Sequence, residues 1–250
     1  MAMLGQADEP PYFVGGYADY FVLPAGAVVY RVPPDSLSDD LASGANCALS
    51  QVMYGLERAN QTFGDTVVVQ GAGALGLYAV AVAKARGASL VIAIDGGVAE
   101  RLELATAFGA DHVIDLTEVP EAKDRAKLVR GLTSGRGADV VVEVVGIPPA
   151  AINEGLNLLG LYGRYVEIGN INFGKTVEFD PSRFVFSNKT MIGVSLYEPD
   201  VLSRALQFLQ EWQDKIPLSR LAAATYSLEE INDAFAAAQT KRDVRASIVL

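Results

Sequence analysis

Residues 67–76 read Val-Val-Val-Gln-Gly-Ala-Gly-Ala-Leu-Gly, and the next apolar run, Leu90–Ile94, ends on Asp95. Glycines at 71, 73 and 76 form a G-x-G-x-x-G turn between an apolar β-branched run and a helix-period segment. Gly71 permits the tight turn, Gly73 lets backbone approach a pyrophosphate, and Gly76 lets the helix pack close to the strand. Phosphates then meet the N–H groups of the helix N-terminus. Asp95 stands roughly twenty residues beyond the glycines, the spacing of an acid that binds ribose hydroxyls. A carboxylate there accepts both hydroxyls but repels a 2′-phosphate, and Gly96 and Gly97 offer no compensating side chain. The pattern therefore points to a dinucleotide, with NAD favoured over NADP.

The elements that must position this turn follow from periodicity. From Val67 the chain alternates strand and helix: strands 67–70, 90–94, 112–114, 138–145, 163–168 and 190–195, with helices 75–86, 99–108, 121–132 and 150–159. Gly87 and Gly109 close the first two helices. Such alternation predicts an α/β fold with a doubly wound parallel sheet, the Rossmann arrangement, its ligand lying at the strand carboxyl ends where the order reverses. Upstream, Ser38 caps a helix running on through residues 39–59, and the segments 15–24 and 27–32 have strand character, the second stopped by Pro33 and Pro34. Downstream, residues 201–212 and 228–239 are amphipathic helices, and 246–250 is an apolar strand expected to pair with the strands of residues 14–32.

The 250 residues include 20 Lys and Arg against 30 Asp and Glu, a formal charge of −10, and half are hydrophobic. That charge disfavours nucleic acid and anionic membrane surfaces as partners. The longest apolar run is interrupted by Gln70 and the turn glycines, and the N-terminus has no basic segment before an apolar one, so a cytoplasmic location is expected. Cys47 is the single cysteine, which leaves no internal disulfide and no multi-cysteine zinc knot.

The pieces GGYADYFVLP, Pro33-Pro34-Asp35, NCALSQVMYGL, GDTVVVQGAGALG, VIAID, GADHVID, GADVVVEVVG, GRYVEIGN and EEINDAFAAA, in this order and spacing, resemble the zinc-type alcohol dehydrogenase branch of the medium-chain dehydrogenase/reductase superfamily. The resemblance runs along nearly the whole chain. It implies residues 1–45 as a remnant of a GroES-like catalytic domain, with 228–250 returning to it, and 46–227 as the dinucleotide-binding domain. It also implies that the family's first segment, with most of its zinc ligands, has no counterpart here. Cys47 matches one ligand of the family's catalytic zinc, and it is the only one left. Zinc catalysis needs three protein ligands and an open position. His112, opening a strand of the cofactor domain, does not supply another.

By the same resemblance, Leu75 backs the nicotinamide ring and the backbone of Ile168, Val194 and Leu196 holds its carboxamide. Ala74, Gly96, Val145 and Gly169 complete the cofactor-binding set. Arg101 matches a basic residue near the adenosine ribose and Arg245 one that reaches the pyrophosphate, although either reads equally well as a solvated surface charge. The activity implied is hydride transfer between NAD and an alcohol, aldehyde or ketone. Zinc is doubtful, and Ser50, Gln51 and Tyr54 are alternative donors to a developing alkoxide or simply packing residues. The competing reading is a non-catalytic NAD-binding protein, or a truncated product of a longer dehydrogenase gene. The apolar segment Lys189–Leu196 is expected to end the sheet and to join a homodimer through its open edge.

Overall fold

The computed structural model describes residues 16–23, 25–32, 36–146, 149–170, 173–222, 224–240 and 244–249. A short helix α1 (Asp39–Ala42) is followed by a π-type turn over Ala45–Leu49 and by α2 (Ser50–Arg58). The chain then alternates through β1 (Thr66–Gln70), α3 (Ala74–Ala85), β2 (Leu90–Asp95), α4 (Ala99–Ala107), β3 (His112–Asp115), α5 (Ala122–Leu132), β4 (Ala138–Glu143), α6 (Ala150–Leu158) and β5 (Leu159–Glu167). After α7 (Pro181–Phe186) come β6 (Thr190–Gly193), α8 (Pro199–Trp212), β7 (Ala224–Ser227), α9 (Ile231–Gln239) and β8 (Ala246–Val249).

Six parallel strands lie in the order β3-β2-β1-β4-β5-β6, so the winding reverses between β1 and β4. Alternation along the strands divides the core in two. Val67 and Val69 of β1, Val140 and Val142 of β4 and Val166 of β5 face α2, α3, α4 and α8. Val68, Val141 and Tyr165 face α5 and α6. Strands buried on both faces need continuous apolar runs, as β1 and β4 have. The doubly wound sheet expected from the alternation is therefore present.

Four expectations need correction. The helix predicted over 39–59 is broken, because Asn46 is extended (ψ 157°) and Cys47 has φ 50°, ψ −72°. The Asn46 side chain competes with helix formation by accepting the Cys47 N–H at 2.9 Å, and it also accepts from the Tyr197 hydroxyl. Residues 16–23 and 25–32 form no strand, and Tyr20, Val22 and Val29 are exposed. β8 pairs instead with β7, in parallel from Ala224↔Ala246 to Ser227↔Val249, because a strand pattern without an adjacent ladder is not a strand. Strands β4 and β6 are each shorter than predicted, ending at Glu143 and Gly193. Pro24, Pro33, Pro34, Asp35, Leu250 and residues 1–15, on which parts of the sequence reading fall, lie outside the described residues.

Helix α7 and strand β7 escaped the sequence reading. The first had a legible signal, Asp180-Pro181-Ser182, in which the Asp180 carboxylate caps the N–H groups of Ser182 and Arg183 and proline fills the first turn. Among the described residues, no helix is long and apolar enough to cross a membrane.

Candidate functional site

The winding reverses between β1 and β4, and the carboxyl ends of these two strands are where a doubly wound sheet places its ligand crevice. Gly71 leaves β1 with φ 104°, and its N–H donates to the Ile94 carbonyl at 2.8 Å. A Cβ at Gly71 would press on Val145 at 3.1 Å and Val144 at 3.2 Å, so this turn abuts the loop after β4. A Cβ at Gly76 would collide with the Gly71 carbonyl oxygen, which forbids any side chain there. Gly73 differs: a Cβ on it meets no atom of the described residues within 4 Å. It is the N-cap of α3 and carries no capping side chain, so the first-turn N–H groups of Ala74, Leu75 and Gly76 have no intrahelical acceptor. Open space in front of uncapped donors at a helix N-terminus fits a pyrophosphate.

Asp95 closes β2 beside this turn. Its Oδ2 accepts the Ala72 N–H at 2.9 Å and its Oδ1 accepts the Gly96 N–H at 2.8 Å. Each oxygen retains a lone pair, so the carboxylate is oriented by backbone and free to accept hydroxyls. Gly96 packs against Leu116, where a Cβ would be 2.6 Å from that residue's Cβ. Arg101, in the first turn of α4, has its Nε buried with no hydrogen-bond partner among the described residues.

Across the crevice, Val145 is half exposed, and Ile168 and Val194 are buried beneath Gly55 of α2, where a Cβ would be 3.4 Å from Ile168 and 3.7 Å from Val194. The Val194 N–H is spent on the Glu167 carbonyl at 2.9 Å, while Leu196 is exposed. Leu75 is partly buried against the core on the α3 side. Gly169 and Gly146 bring the loops after β5 and β4 into contact, since a Cβ on Gly146 would collide with the Gly169 carbonyl. Arg245 donates to Ser43 Oγ at 2.7 Å and lies beside the buried Tyr78 hydroxyl, one turn along α3 from the glycine turn. Burial pushes the Tyr78 hydroxyl above its usual range, and the Arg245 charge opposes that shift.

A feature that the sequence reading missed lies at the same level of the sheet. Gln70, Glu143, Glu167 and Gly193 are in register across β1, β4, β5 and β6, so three polar side chains stand in a row on the α5/α6 face. Glu143 is fully buried. Its Oε1 accepts the N–H groups of Val145 and Gly146 at 2.7 and 2.8 Å, and its Oε2 accepts from Asn170 Nδ2 at 3.1 Å. Burial, and then the neighbouring Glu167 carboxyl, push Glu143 up to about 7, against the pull of the Gly146 and Val145 N–H groups. The same burial and negative charge raise the Tyr165 hydroxyl. The signal for Glu143 was in the sequence, an ionisable residue ending the otherwise apolar run of a buried parallel strand.

The zinc reading does not fit. Cys47 is exposed on the kink before α2, and among the described residues no three His, Cys, Asp or Glu side chains come together to hold a metal ion. His112 sits exposed on β3, in register with Ile92. The alternative donors are committed elsewhere. Ser50 Oγ is buried and donates to the Ala45 carbonyl at 2.7 Å, Gln51 donates to the Ser195 carbonyl at 2.6 Å, and the Tyr54 hydroxyl is directed at Glu198 at 3.5 Å.

The family model of the zinc-binding dehydrogenases matches residues 74–211, more than half of the chain. This chain therefore belongs to the zinc-binding dehydrogenase family. It is 38% identical over 222 residues to the 5-exo-hydroxycamphor dehydrogenase of Pseudomonas putida, a match covering 88% of this chain and 60% of that one. It is 42% identical over 165 residues to the erythritol/L-threitol dehydrogenase of Mycolicibacterium smegmatis, covering 66% and 43%. The crystal structure of an alcohol dehydrogenase from Thermotoga maritima superposes with a TM-score of 0.80 at 28% identity, over 86% of this chain and 58% of that one. The chain thus spans only 43–60% of the length of these relatives.

Proposed function

We propose that this chain binds NAD at the β1/β4 crevice and belongs to an oxidoreductase that moves hydride between NAD and an alcohol, aldehyde or ketone. The observation that carries the cofactor reading is Gly73, uncapped and facing open space, beside an Asp95 carboxylate oriented by two backbone N–H groups. The cofactor, when bound, supplies the hydride acceptor or donor. The chain's own work is to seat the pyrophosphate on the first turn of α3, to hold the adenosine ribose on Asp95 with Arg101 near it, and to wall the nicotinamide with Leu75, Val145, Ile168, Gly169, Val194 and Leu196. Arg245 reaches toward the pyrophosphate from the returning C-terminal segment. The relatives, dehydrogenases of hydroxycamphor and of tetritols, support an alcohol or carbonyl substrate.

Calorimetric titration should show NAD binding at least about tenfold tighter than NADP, about 1.4 kcal/mol, and Asp95→Ala should erode that gap. Equal affinities for the two in the unmutated chain would sink the assignment of Asp95. Cys47 belongs to no group of three or more potential metal ligands among the described residues. Elemental analysis of protein purified without chelators is expected to show less than one zinc per chain.

The same observation, with Ser50, Gln51 and Tyr54 committed to structure, favours a second reading: NAD binding without turnover. Nothing identified in the described residues would stabilise a developing alkoxide. Alcohol oxidation assayed with and without added zinc, on a chain already shown to bind NAD, separates the two.

The domain reading, 1–45 with 228–250 as a GroES-like remnant beside 46–227, is supported by β8, which lies outside the six-stranded sheet, while its partner β7 (Ala224–Ser227) falls on the 46–227 side of that boundary. A homodimer through β6 is supported by its place at the sheet edge, with Met191, Val185 and Phe186 exposed beside it. Light scattering at micromolar concentration should report twice the chain mass, and Met191→Lys should halve it. The single cysteine and the absence of a disulfide support a reducing, cytoplasmic location.

A further inference from the structure

We propose that Glu143 and Glu167 hold one proton between them, and that this shared proton makes Glu143 a positioning residue that ties together the two loops walling the nicotinamide end of the crevice. The inference rests on the cofactor reading above and adds a residue to it. The two carboxyls come from adjacent strands in register, β4 and β5, and stand on the same face. Carboxylates placed side by side in a buried site do not both ionise.

Among the described residues no cation relieves them. Gln70, next in the row on β1, is neutral and donates to the Ala151 carbonyl at 3.1 Å. Tyr165, two residues back on β5, is neutral too, and its hydroxyl feels Glu167, Glu143 and Glu154. Glu154 on α6 is taken by Arg125 on α5, whose guanidinium bonds both carboxylate oxygens at 2.5 and 2.7 Å and spends its remaining reach on the carbonyls of Val119 and Pro120. The charge facing the pair from every element packed on it is thus neutral or negative, apart from a cation already paired. Asn170 bridges the two carboxyls, its Nδ2 lying 3.1 Å from both Glu143 Oε2 and Glu167 Oε1. Glu167 Oε2 is buried without a close donor, and the nearby Tyr165 hydroxyl, equally without a close partner, is the side-chain donor to the Glu167 carboxyl. A proton on the pair adds a donor between the two carboxyls themselves.

The pair matters because of what Glu143 holds. Its side chain accepts the Val145 and Gly146 N–H groups, and its own carbonyl accepts the N–H groups of Ile168 and Gly169, both at 3.1 Å. The Asn170 N–H in turn donates to Glu167 Oε1 at 2.9 Å. Residues 144–146 and 168–170, which carry Val145, Ile168 and Gly169, are therefore tied together by the Glu143 carboxyl and carbonyl in addition to the direct approach of Gly146 to Gly169. Removing the shared proton sets two anions against each other at the joint between those loops. Burial, and then the neighbouring Glu167 carboxyl, push the Glu143 carboxyl up to about 7, so the proton is lost as pH rises through neutral.

The test is NADH affinity, measured by fluorescence titration of the whole chain from about pH 6 to about pH 9. The unmutated chain is expected to lose affinity by about tenfold as pH rises across that range. Glu143→Gln keeps an uncharged bridge and is expected to flatten the profile at the low-pH affinity. Glu143→Ala is expected to be weak at every pH, with faster amide exchange at 144–146 and 168–170. Glu167→Gln provides a second neutral bridge, so a folding failure of one variant does not leave the proposal unexamined. An infrared band of a protonated carboxylic acid, present at neutral pH in the unmutated chain and reduced in Glu143→Gln, reads the shared proton without cofactor. If the unmutated chain binds NADH with a flat pH profile that Glu143→Ala leaves unchanged, the positioning role is overturned while the cofactor reading stands. If it binds no NADH at any pH, the cofactor reading is overturned and the positioning role with it. Absence of the infrared band overturns the shared proton itself.

Discussion

The turn after β1 and the kink before α2 both lead into a helix and both carry a positive φ, 104° at Gly71 and 50° at Cys47. They treat their polar groups in opposite ways. At the kink, the Asn46 side chain takes the Cys47 N–H and the Tyr197 hydroxyl, Ser50 takes the Ala45 carbonyl, and Gln51 takes the Ser195 carbonyl. At the glycine turn, Gly73 leaves the helix uncapped and the space before it open. A helix N-terminus becomes a ligand site when its donors are left for something else to satisfy, and the kink has already satisfied its own.

The strongest way to break that contrast is Gly76→Val. The new side chain meets the Gly71 carbonyl, which is backbone and has no rotamer to yield, so α3 must shift off β1. A loss of about 3 kcal/mol or more in urea-derived stability is expected, together with loss of NAD binding. A stable variant that still bound NAD would show that the close approach of helix and turn is dispensable.

Next in size is the pH dependence carried by Glu143. Its carboxyl titrates near 7 in the folded protein and near 4.5 in an unperturbed chain, so the folded state binds the extra proton between those values. The sign follows: this contribution is fully present below about pH 4.5 and is lost as pH rises through about 7. It amounts to about 3 kcal/mol. Urea denaturation from about pH 5 to about pH 8 should show the unmutated chain losing stability relative to Glu143→Gln over that range. Parallel curves would contradict a buried, protonated Glu143.

At the kink, Asn46→Ala removes an acceptor shared by two donors and should cost about 1 kcal/mol, with NAD affinity unchanged. A fall in NAD affinity would tie the kink to the crevice. The smallest stability effect belongs to Gly73→Ala, within about 0.5 kcal/mol, because its φ of −74° and ψ of −172° suit alanine and the added methyl meets no protein atom. That same methyl occupies the space before the helix, so NAD binding should weaken by about tenfold or more. Undiminished binding would place the pyrophosphate elsewhere.

Much of the fold was legible because its units are local. Three valines, a glycine turn and an alanine-rich helix specify β1 and α3 with little reference to the rest of the chain, and the alternation that follows repeats the same logic. Asp95 was legible for the same reason, standing at the end of one strand at a set distance from one turn. Cys47 and Arg245 were placed by likeness to the family, and the structure puts them on a kink and beside Tyr78 respectively. The strand pattern of residues 16–32 misled, because alternation describes which side chains would share a face and not whether a second strand is there to pair.

What the sequence determined by itself was the backbone chemistry of the glycine turn and the acid opposite it, since tight turns, close helix approach and helix-terminal donors depend on residues within a few positions of one another. What the tertiary structure alone decided were the partnership of β7 with β8, the break at Asn46 and Cys47, and the row of Gln70, Glu143 and Glu167. The last two carboxyls are 24 residues apart in the chain, and nothing in the sequence sets one beside the other. Only the register of β4 against β5 sets them side by side, and only burial on both faces of the sheet turns that neighbourhood into a shared proton.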